Sequence, residues 1–429
     1  MNAQLMEYDL IIVGFGMATH RLLQELARQR GAPQRILVLG EEPRHAYNRV
    51  LLPQLLEDSS TDIALPATAA ALGDRLTILT QQPVSAILPK RREVQTAAGQ
   101  RFFYRQLVLA TGAAPLLPAF SEGNSAVQAR LRPLRDVSDV QQIKALPAGS
   151  HLLIQGGGFI ALETAAALSQ RYRVTICHRG PYLMNRQLDP AAAALLHSAL
   201  RQRGITVLLR TEITAADADA AELQLQLSTA DGPAVVSADL CIAALGIQPR
   251  TALARAAGLV VNRGIVVTTQ LKTSDPHIFA IGECCECAGE TVALVAPVYQ
   301  QAAVLAAGLS GEPARHYQAG VCGTQLKISG LAICSFGDIP ALLQDPGLQS
   351  LVYQDPLLGD YRRLWLRHGR LAGAVLCGDT SLSPYCQQLL QDAAVLAGEP
   401  QSVQPELRDD LRNGLLHTDL LNDLLFRAA

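Results

Sequence analysis

Short, unbroken apolar runs alternate along this chain with longer stretches whose apolar positions recur every three or four residues. Residues 8–13, Tyr-Asp-Leu-Ile-Ile-Val, form a run of the first kind. Gly14-Phe15-Gly16-Met17-Ala18-Thr19 follows, and then a helical spacing through Leu22, Leu23 and Leu26. A second strand is predicted over 35–40 and ends at Glu41-Glu42. The order strand, glycine turn, helix, strand returns at 151–155, 156–163, 164–170 and 173–177, and there the second strand ends in His178-Arg179. Buried strands alternating with helical periods predict parallel sheets of α/β type. From about Gln318 the pattern changes to paired strands. Residues 324–328 and 331–335 flank a Ser-Gly turn, and 362–367 and 371–376 flank His368-Gly369-Arg370, a hairpin signal. A polar linker over 398–405 then leads to an amphipathic helix carrying Leu407, Leu411, Leu415, Leu416, Leu420 and Leu424.

A glycine turn between a strand and a helix is suited to phosphate. Gly14 permits the tight turn, Gly16 lets a pyrophosphate approach the backbone, and the helix starting at Met17 and Ala18 offers amide donors and a partial positive charge. The third glycine position holds Thr19, which is expected to loosen the helix–strand contact. Glu41 and its rival Glu42 stand where a carboxylate accepts from a ribose hydroxyl. In the second turn Gly156, Gly158, Phe159 and Ile160 take the same places, and Ala161 fills the third position. An acid at the end of the following strand would bind the 2′-hydroxyl of NAD, whereas an arginine favours the 2′-phosphate of NADP. His178 and Arg179 match neither case fully, so the choice between NADH and NADPH stays open.

Three further segments complete the picture: a strand ending in Ala110-Thr111-Gly112, its counterpart over 242–249 with Gly246, and a turn and strand running into Gly282-Glu283. Together with the paired glycine turns, these resemble the two-dinucleotide-binding-domain FAD/NAD(P)H oxidoreductases. The resemblance implies an α/β fold of two Rossmann-like domains, one inserted in the other, plus a C-terminal α+β domain. The expected FAD domain covers 1–118 and 247–317, the NAD(P)H domain 119–246, and the C-terminal domain 318–429. Thr111-Gly112 would mark the crossing between domains, and Glu283 would bind a ribityl hydroxyl of FAD. Residues 46–52, 181–189, 294–297, 327–330 and 335–338 narrow the resemblance to the flavin module of assimilatory NAD(P)H nitrite reductase large subunits and, more distantly, to rubredoxin reductases. That family is often non-acidic at the second strand end, which tilts the expectation toward NADH. By the same resemblance Arg49 and Glu163 are the catalytic candidates, Arg49 beside the flavin and pyrophosphate and Glu163 near the nicotinamide and flavin edge. A helix starting at Pro297 and running through Gln301 would aim its amides at the flavin.

Dithiol members of the superfamily carry a Cys-x4-Cys pair on the first helix region; the equivalent stretch here, 45–55, has no cysteine. Electrons must then leave the flavin directly. The implied partner is a protein electron acceptor: a nitrate or nitrite reductase component, a rubredoxin or a ferredoxin. The full nitrite reductase subunit continues into iron–sulfur and sirohaem modules; this chain ends at Ala429 without them, so a separate electron-delivery component is expected. Alternatives are a rubredoxin- or ferredoxin-type reductase unrelated to nitrogen, and a non-catalytic flavoprotein sensor. A homodimer face is expected of the C-terminal domain, and Arg362, Arg363, Arg367 and Arg370 could dock an acidic carrier.

Composition adds exclusions. With 49% hydrophobic residues and a net charge of −2, the chain has material for several cores and no bulk attraction to nucleic acid. The start has no charged-then-apolar leader, and the apolar stretch over 291–309 contains Pro297, Gln300 and Gln301 and reads as a buried helix rather than a membrane span. Nine scattered cysteines, an odd number, suit a reduced cytoplasmic protein. Cys284, Cys285 and Cys287 are too crowded for a well-spaced metal site and are expected to be packed or free thiols, so no metal is expected.

Overall fold

The computed structural model describes residues 7–66, 69–219, 222–320, 322–328, 330–355 and 357–396. The helix expected over 407–424 lies outside the described residues. The chain divides into two compact units. The first comprises the described parts of Met1–Leu52, Ser60–Leu116 and Gly246–Ala319; the second comprises Pro53–Ser59, Leu117–Leu245 and the described parts of Gly320–Ala429.

The first unit is built on a sheet whose parallel members run Leu76–Leu79, Ile36–Leu39, Glu7–Val13, Arg101–Leu109 and Ile278–Ala280. Glu93–Thr96 and Val84–Leu88 extend it antiparallel. Leu10 pairs with Ile36 on one side and Ile11 with Leu107 on the other, and all four are fully buried, as expected for strands covered on both faces. Helix Met17–Ala27 buries Leu22, Leu23 and Leu26 in one core with this sheet, and helix Val295–Leu309 packs against helix Met17–Ala27. Each such leucine contributes roughly 2 kcal/mol of transfer free energy. The chain leaves this unit along Ala113–Pro115 and returns along Ile247–Pro249, and the two pair antiparallel. Gly246, at φ +111°, makes the bend that separates the returning strand from Leu240–Ala243.

The second unit holds a parallel sheet in the order Thr206–Leu209, Arg173–His178, His151–Gln155, Leu240–Ala243 and Leu131–Arg132. It also contains an antiparallel meander, Glu212–Ala218, Leu223–Thr229 and Gly232–Ala238, which is not among the elements expected from the hydrophobic pattern. The C-terminal sheet, also in this unit, is antiparallel: Thr324–Ile328, Leu331–Phe336, Arg370–Cys377, Asp360–Arg367 and Gln349–Asp355, with helix Ser383–Leu396 against Arg370–Cys377. His368 and Gly369, with φ of +50° and +75°, form the two-residue turn that the hairpin signal predicts. Within the second unit the Lys144 ammonium donates to the Leu55 carbonyl at 3.1 Å and to the Ser59 hydroxyl at 2.6 Å, which holds the short segment 53–59 in place.

One buried carboxylate organises the second unit. Asp189 is wholly shielded from solvent and caps helix Pro190–Gln202 by accepting from the Ala191 and Ala192 amides at 2.9 and 3.0 Å. Its other oxygen accepts from the Tyr361 hydroxyl at 2.7 Å and faces the Arg363 guanidinium at 3.6 Å, both from the C-terminal sheet.

Candidate functional site

In the first unit the chain reverses at Gly14, whose φ of +102° belongs to glycine. Its amide donates to the Leu39 carbonyl at 2.9 Å, and a Cβ added there would lie 2.2 Å from the Ala110 carbonyl oxygen. Gly16 caps helix Met17–Ala27 with extended backbone; no side chain caps the helix and nothing lies within 4 Å of its missing Cβ. A free helix N-terminus beside open space suits a phosphate. Thr19 corrects an expectation. It is fully buried and its hydroxyl donates to the Gly14 carbonyl at 2.7 Å, so it fastens the turn to the helix instead of loosening it.

The two acids at the strand end differ. Glu42 accepts from the Tyr47 hydroxyl at 2.9 Å and pairs with Arg49, whose guanidinium lies over the Tyr47 ring at 5.0 Å. Glu41 is more open, its side chain 64% exposed against 33% for Glu42, and pairs with Arg250 at 2.7 Å. Arg49 is accordingly a member of a compact cluster and not a bare surface residue. The Thr111 hydroxyl donates to the Arg250 carbonyl at 2.9 Å and the Arg250 amide to the Gly112 carbonyl at 2.9 Å, so the outgoing and returning chains are stitched at that point. Gly282, at φ +82°, donates its amide to the buried Gln301 Oε1 at 2.8 Å, with Glu283 directly after it. The helix expected to start at Pro297 begins earlier, at Val295, so Pro297 and Gln301 lie inside it and both are buried.

The second unit repeats the turn. Gly156 has φ +140°, its amide donates to the Cys177 carbonyl at 2.9 Å, and an added Cβ would lie 2.3 Å from the Ala244 carbonyl oxygen. Gly158 caps helix Phe159–Leu168, again with no side-chain cap and open space where a Cβ would be. The helix starts five residues before the expected 164. Ala161 is buried, Ile160 is exposed, and Phe159 is half-buried. Glu163, in the second turn of this helix, is partly buried, and burial pushes its carboxyl up to about 7. His178 ends its strand half-buried, and Arg179 beside it is exposed.

Nothing in the thiols supports disulfide chemistry. The first cysteine in the chain is Cys177. All nine are free, and eight are buried. Burial pushes Cys177, Cys377 and Cys386 up to about 12 and Cys285 well above the ordinary range. The Cys284 thiol donates to the Leu109 and Ile281 carbonyls at 3.4 and 3.3 Å, and Cys285 to the Gly282 carbonyl at 3.2 Å. These are protonated packing groups rather than nucleophiles. Among the described residues no group of three or more His, Cys, Asp or Glu side chains could hold a metal ion. In the arginine group of the C-terminal sheet Arg367 is exposed, Arg363 and Arg370 are half-buried, and each member is engaged with neighbouring groups. Arg362 is buried and bonded to Asp379 at 2.9 Å, Arg363 stacks over Trp365 at 4.8 Å, and Arg367 pairs with Asp345 at 2.5 Å.

Residues 8–306 match the sequence pattern of the pyridine nucleotide-disulphide oxidoreductases. The chain belongs to this family. It is an NAD(P)H-dependent oxidoreductase with FAD, and the two uncapped glycine turns are cradles that fit two dinucleotides. Residues 323–394 match the rubredoxin NAD+ reductase C-terminal domain. A nitrite reductase (NAD(P)H) of Bacillus subtilis (strain 168) is 35% identical over 380 residues, 87% of this chain and 46% of that protein. The assimilatory nitrate reductase electron transfer subunit of the same organism is 32% identical over 404 residues, 92% of this chain and 51% of that protein. The chain thus spans about half the length of these relatives. The putidaredoxin reductase in a covalent complex with putidaredoxin has the same fold, with a TM-score of 0.79 at 24% identity over 90% of this chain and 93% of that one. No helix of the described residues is long and apolar enough to cross a membrane.

Proposed function

We propose that this oxidoreductase delivers electrons from NAD(P)H, through FAD, to a separate protein acceptor of nitrate or nitrite assimilation, in the cytoplasm. The observation that carries the proposal is the missing dithiol in a chain of the pyridine nucleotide-disulphide oxidoreductase family. No cysteine occurs before Cys177, and the thiols that follow are held protonated by burial. Electrons that cannot pass to a sulfur couple leave the flavin directly, and FAD, when bound, accepts a hydride as a pair and can return its electrons singly. The relative named as an electron transfer subunit of nitrate reductase supports the choice of acceptor.

In this reading the amides at the start of helix Met17–Ala27 and the close approach allowed by Gly14 and Gly16 hold the FAD pyrophosphate. Glu41, the more open of the two acids, accepts from its ribose, and Glu283 from its ribityl chain. Arg49 holds positive charge nearby while Glu42 and Tyr47 fix its position. Gly156, Gly158 and helix Phe159–Leu168 hold the pyrophosphate of NAD(P)H. A second reading, a rubredoxin-type reductase unrelated to nitrogen, is favoured by the match over residues 323–394.

Anaerobic titration of the purified, FAD-loaded chain with NADH and NADPH should bleach the flavin, and the reduced protein should then reduce the catalytic subunit of an assimilatory nitrate reductase faster than it reduces rubredoxin or ferredoxin. The opposite order establishes the second reading. A protein that takes up no FAD overturns the electron-delivery role, and one whose bound flavin neither nucleotide bleaches favours the non-catalytic flavoprotein sensor.

A further inference from the structure

The end of strand Arg173–His178 is built differently from the corresponding strand end of the first unit. The His178 ring lies between two glycines: a Cβ on Gly157 would sit 2.6 Å from its Cγ and Nδ1, and one on Gly180 would sit 2.5 Å from its Nε2. The loop is folded tightly around it, with the Met184 amide donating to the Gly157 carbonyl at 2.8 Å. Burial disfavours the charged imidazole, so the group standing in the usual place of a ribose-binding carboxylate is neutral.

Around this neutral group the exposed charge is positive. Strand Thr206–Leu209 runs parallel to Arg173–His178, with Leu209 paired to His178, so both strands end at the same edge. Just beyond, the Arg210 amide donates to the Gly180 carbonyl at 3.0 Å and the Thr211 amide to the His178 carbonyl at 3.1 Å. Arg179 and Arg210 therefore stand on adjoining backbone, and both are exposed. Arg186 is exposed on the same loop, one residue after Asn185, whose Nδ2 lies 3.3 Å from the Cβ position of Gly180. None of the three arginines has an ion pair among the described residues. The acids on these segments are Glu212, which is exposed, and Asp189, which is sealed in its own network. NADPH differs from NADH by a phosphate on the adenosine 2′-oxygen. A carboxylate at the strand end repels that phosphate, and arginines hold it through charge-assisted hydrogen bonds.

We propose that this chain selects NADPH over NADH, with Arg179 and Arg210 holding the 2′-phosphate at the strand end that His178 occupies and Arg186 adding charge at the rim. The proposal rests on the NAD(P)H reading of the second glycine turn and goes against the NADH tilt drawn from family resemblance.

The test uses the FAD-loaded chain and two fragments of the nucleotide, adenosine 2′,5′-bisphosphate and 5′-AMP, with binding measured calorimetrically. The bisphosphate should bind at least tenfold more tightly. Arg179→Ala and Arg210→Ala should each cut that ratio several-fold while leaving 5′-AMP affinity within twofold. His178→Glu should bring the ratio to one or below. Equal or tighter binding of 5′-AMP by the wild-type chain overturns the proposal whatever the variants do. So does an unchanged ratio in both arginine variants that retain bound FAD and the wild-type circular dichroism. Binding of neither fragment removes the NAD(P)H site itself, and the selectivity proposal falls with it.

Discussion

The glycine turn after Val13 and the one after Gln155 share a backbone and differ in almost every side chain. Both begin with a positive-φ glycine pressed to within 2.2–2.3 Å, counted to a hypothetical Cβ, of a neighbouring carbonyl, and both open on an uncapped helix. At the third glycine position one has a hydroxyl bonded back to the turn and the other a buried methyl. Five residues after the capping glycine, the first helix has Arg21, paired with Glu25 at 2.6 Å and lying 5.3 Å from the Tyr299 ring, where the second has Glu163. At the strand ends, carboxylates in one face an imidazole and arginines in the other. Steric necessity sets the turn and leaves little choice, whereas charge at the periphery is free to vary and decides what each cradle prefers.

The harshest way to break the comparison is Gly14→Ala or Gly156→Ala. Each puts a methyl on a carbonyl and strains a positive φ, so a loss of roughly 2–4 kcal/mol is expected in urea unfolding. Gly14→Ala should also empty the flavin, measured by absorbance, while Gly156→Ala should keep the flavin and lose bleaching by NAD(P)H. A similar loss of FAD from both variants would mean that the cradles are not independent.

Glu163→Gln sharpens the contrast with Arg21. The folded carboxyl holds its proton to about pH 7, while the unfolded one gives it up near its ordinary value of 4.5. The folded chain therefore binds more protons between these values, and stability falls as pH rises through that window. Thermal unfolding at pH 5 and pH 8 should show the variant losing less stability than the wild type, by on the order of 1–2 kcal/mol after allowing for partial exposure. A pH profile unchanged by the substitution would place Glu163 in water.

Thr19→Val removes the bond to Gly14 and leaves a buried carbonyl short of a donor, at a cost of about 1–2 kcal/mol. The reciprocal Ala161→Thr asks whether the second turn accepts the same clasp, and a neutral result in denaturant unfolding would show that it does. The smallest effect is expected of Arg250→Ala. Its exposed pair with Glu41 contributes about 0.2–1 kcal/mol, and the change should shrink further in 0.5 M salt.

Much of this was legible in the sequence because the decisive features are local. A run such as Leu-Ile-Ile-Val meeting Gly-x-Gly, then a shift to helical spacing, announces its geometry within some twenty residues. Thr19 was misread for a local reason of another kind, since only the position of the Gly14 carbonyl reveals that the hydroxyl closes the turn. The meander over 212–238 went unseen although Leu223, Leu225 and Leu227 alternate in register with its polar residues. The burial of Arg362 went unseen because it depends on Asp379 and on Tyr353 across the sheet. Arg210 could have been found from one signal, a basic residue just past a strand parallel to the one ending in His178. The bond between Asp189 and Tyr361 joins positions 172 residues apart, and no spacing rule reaches that far.

That bond has a consequence for anyone recombining these genes. Cutting the chain ahead of the last antiparallel sheet, to graft its nucleotide-binding half onto a foreign tail, would strand a sealed anion without the phenol and guanidinium that answer it. A functional chimera must bring along a matching tyrosine and arginine, or exchange the aspartate for asparagine at the same time.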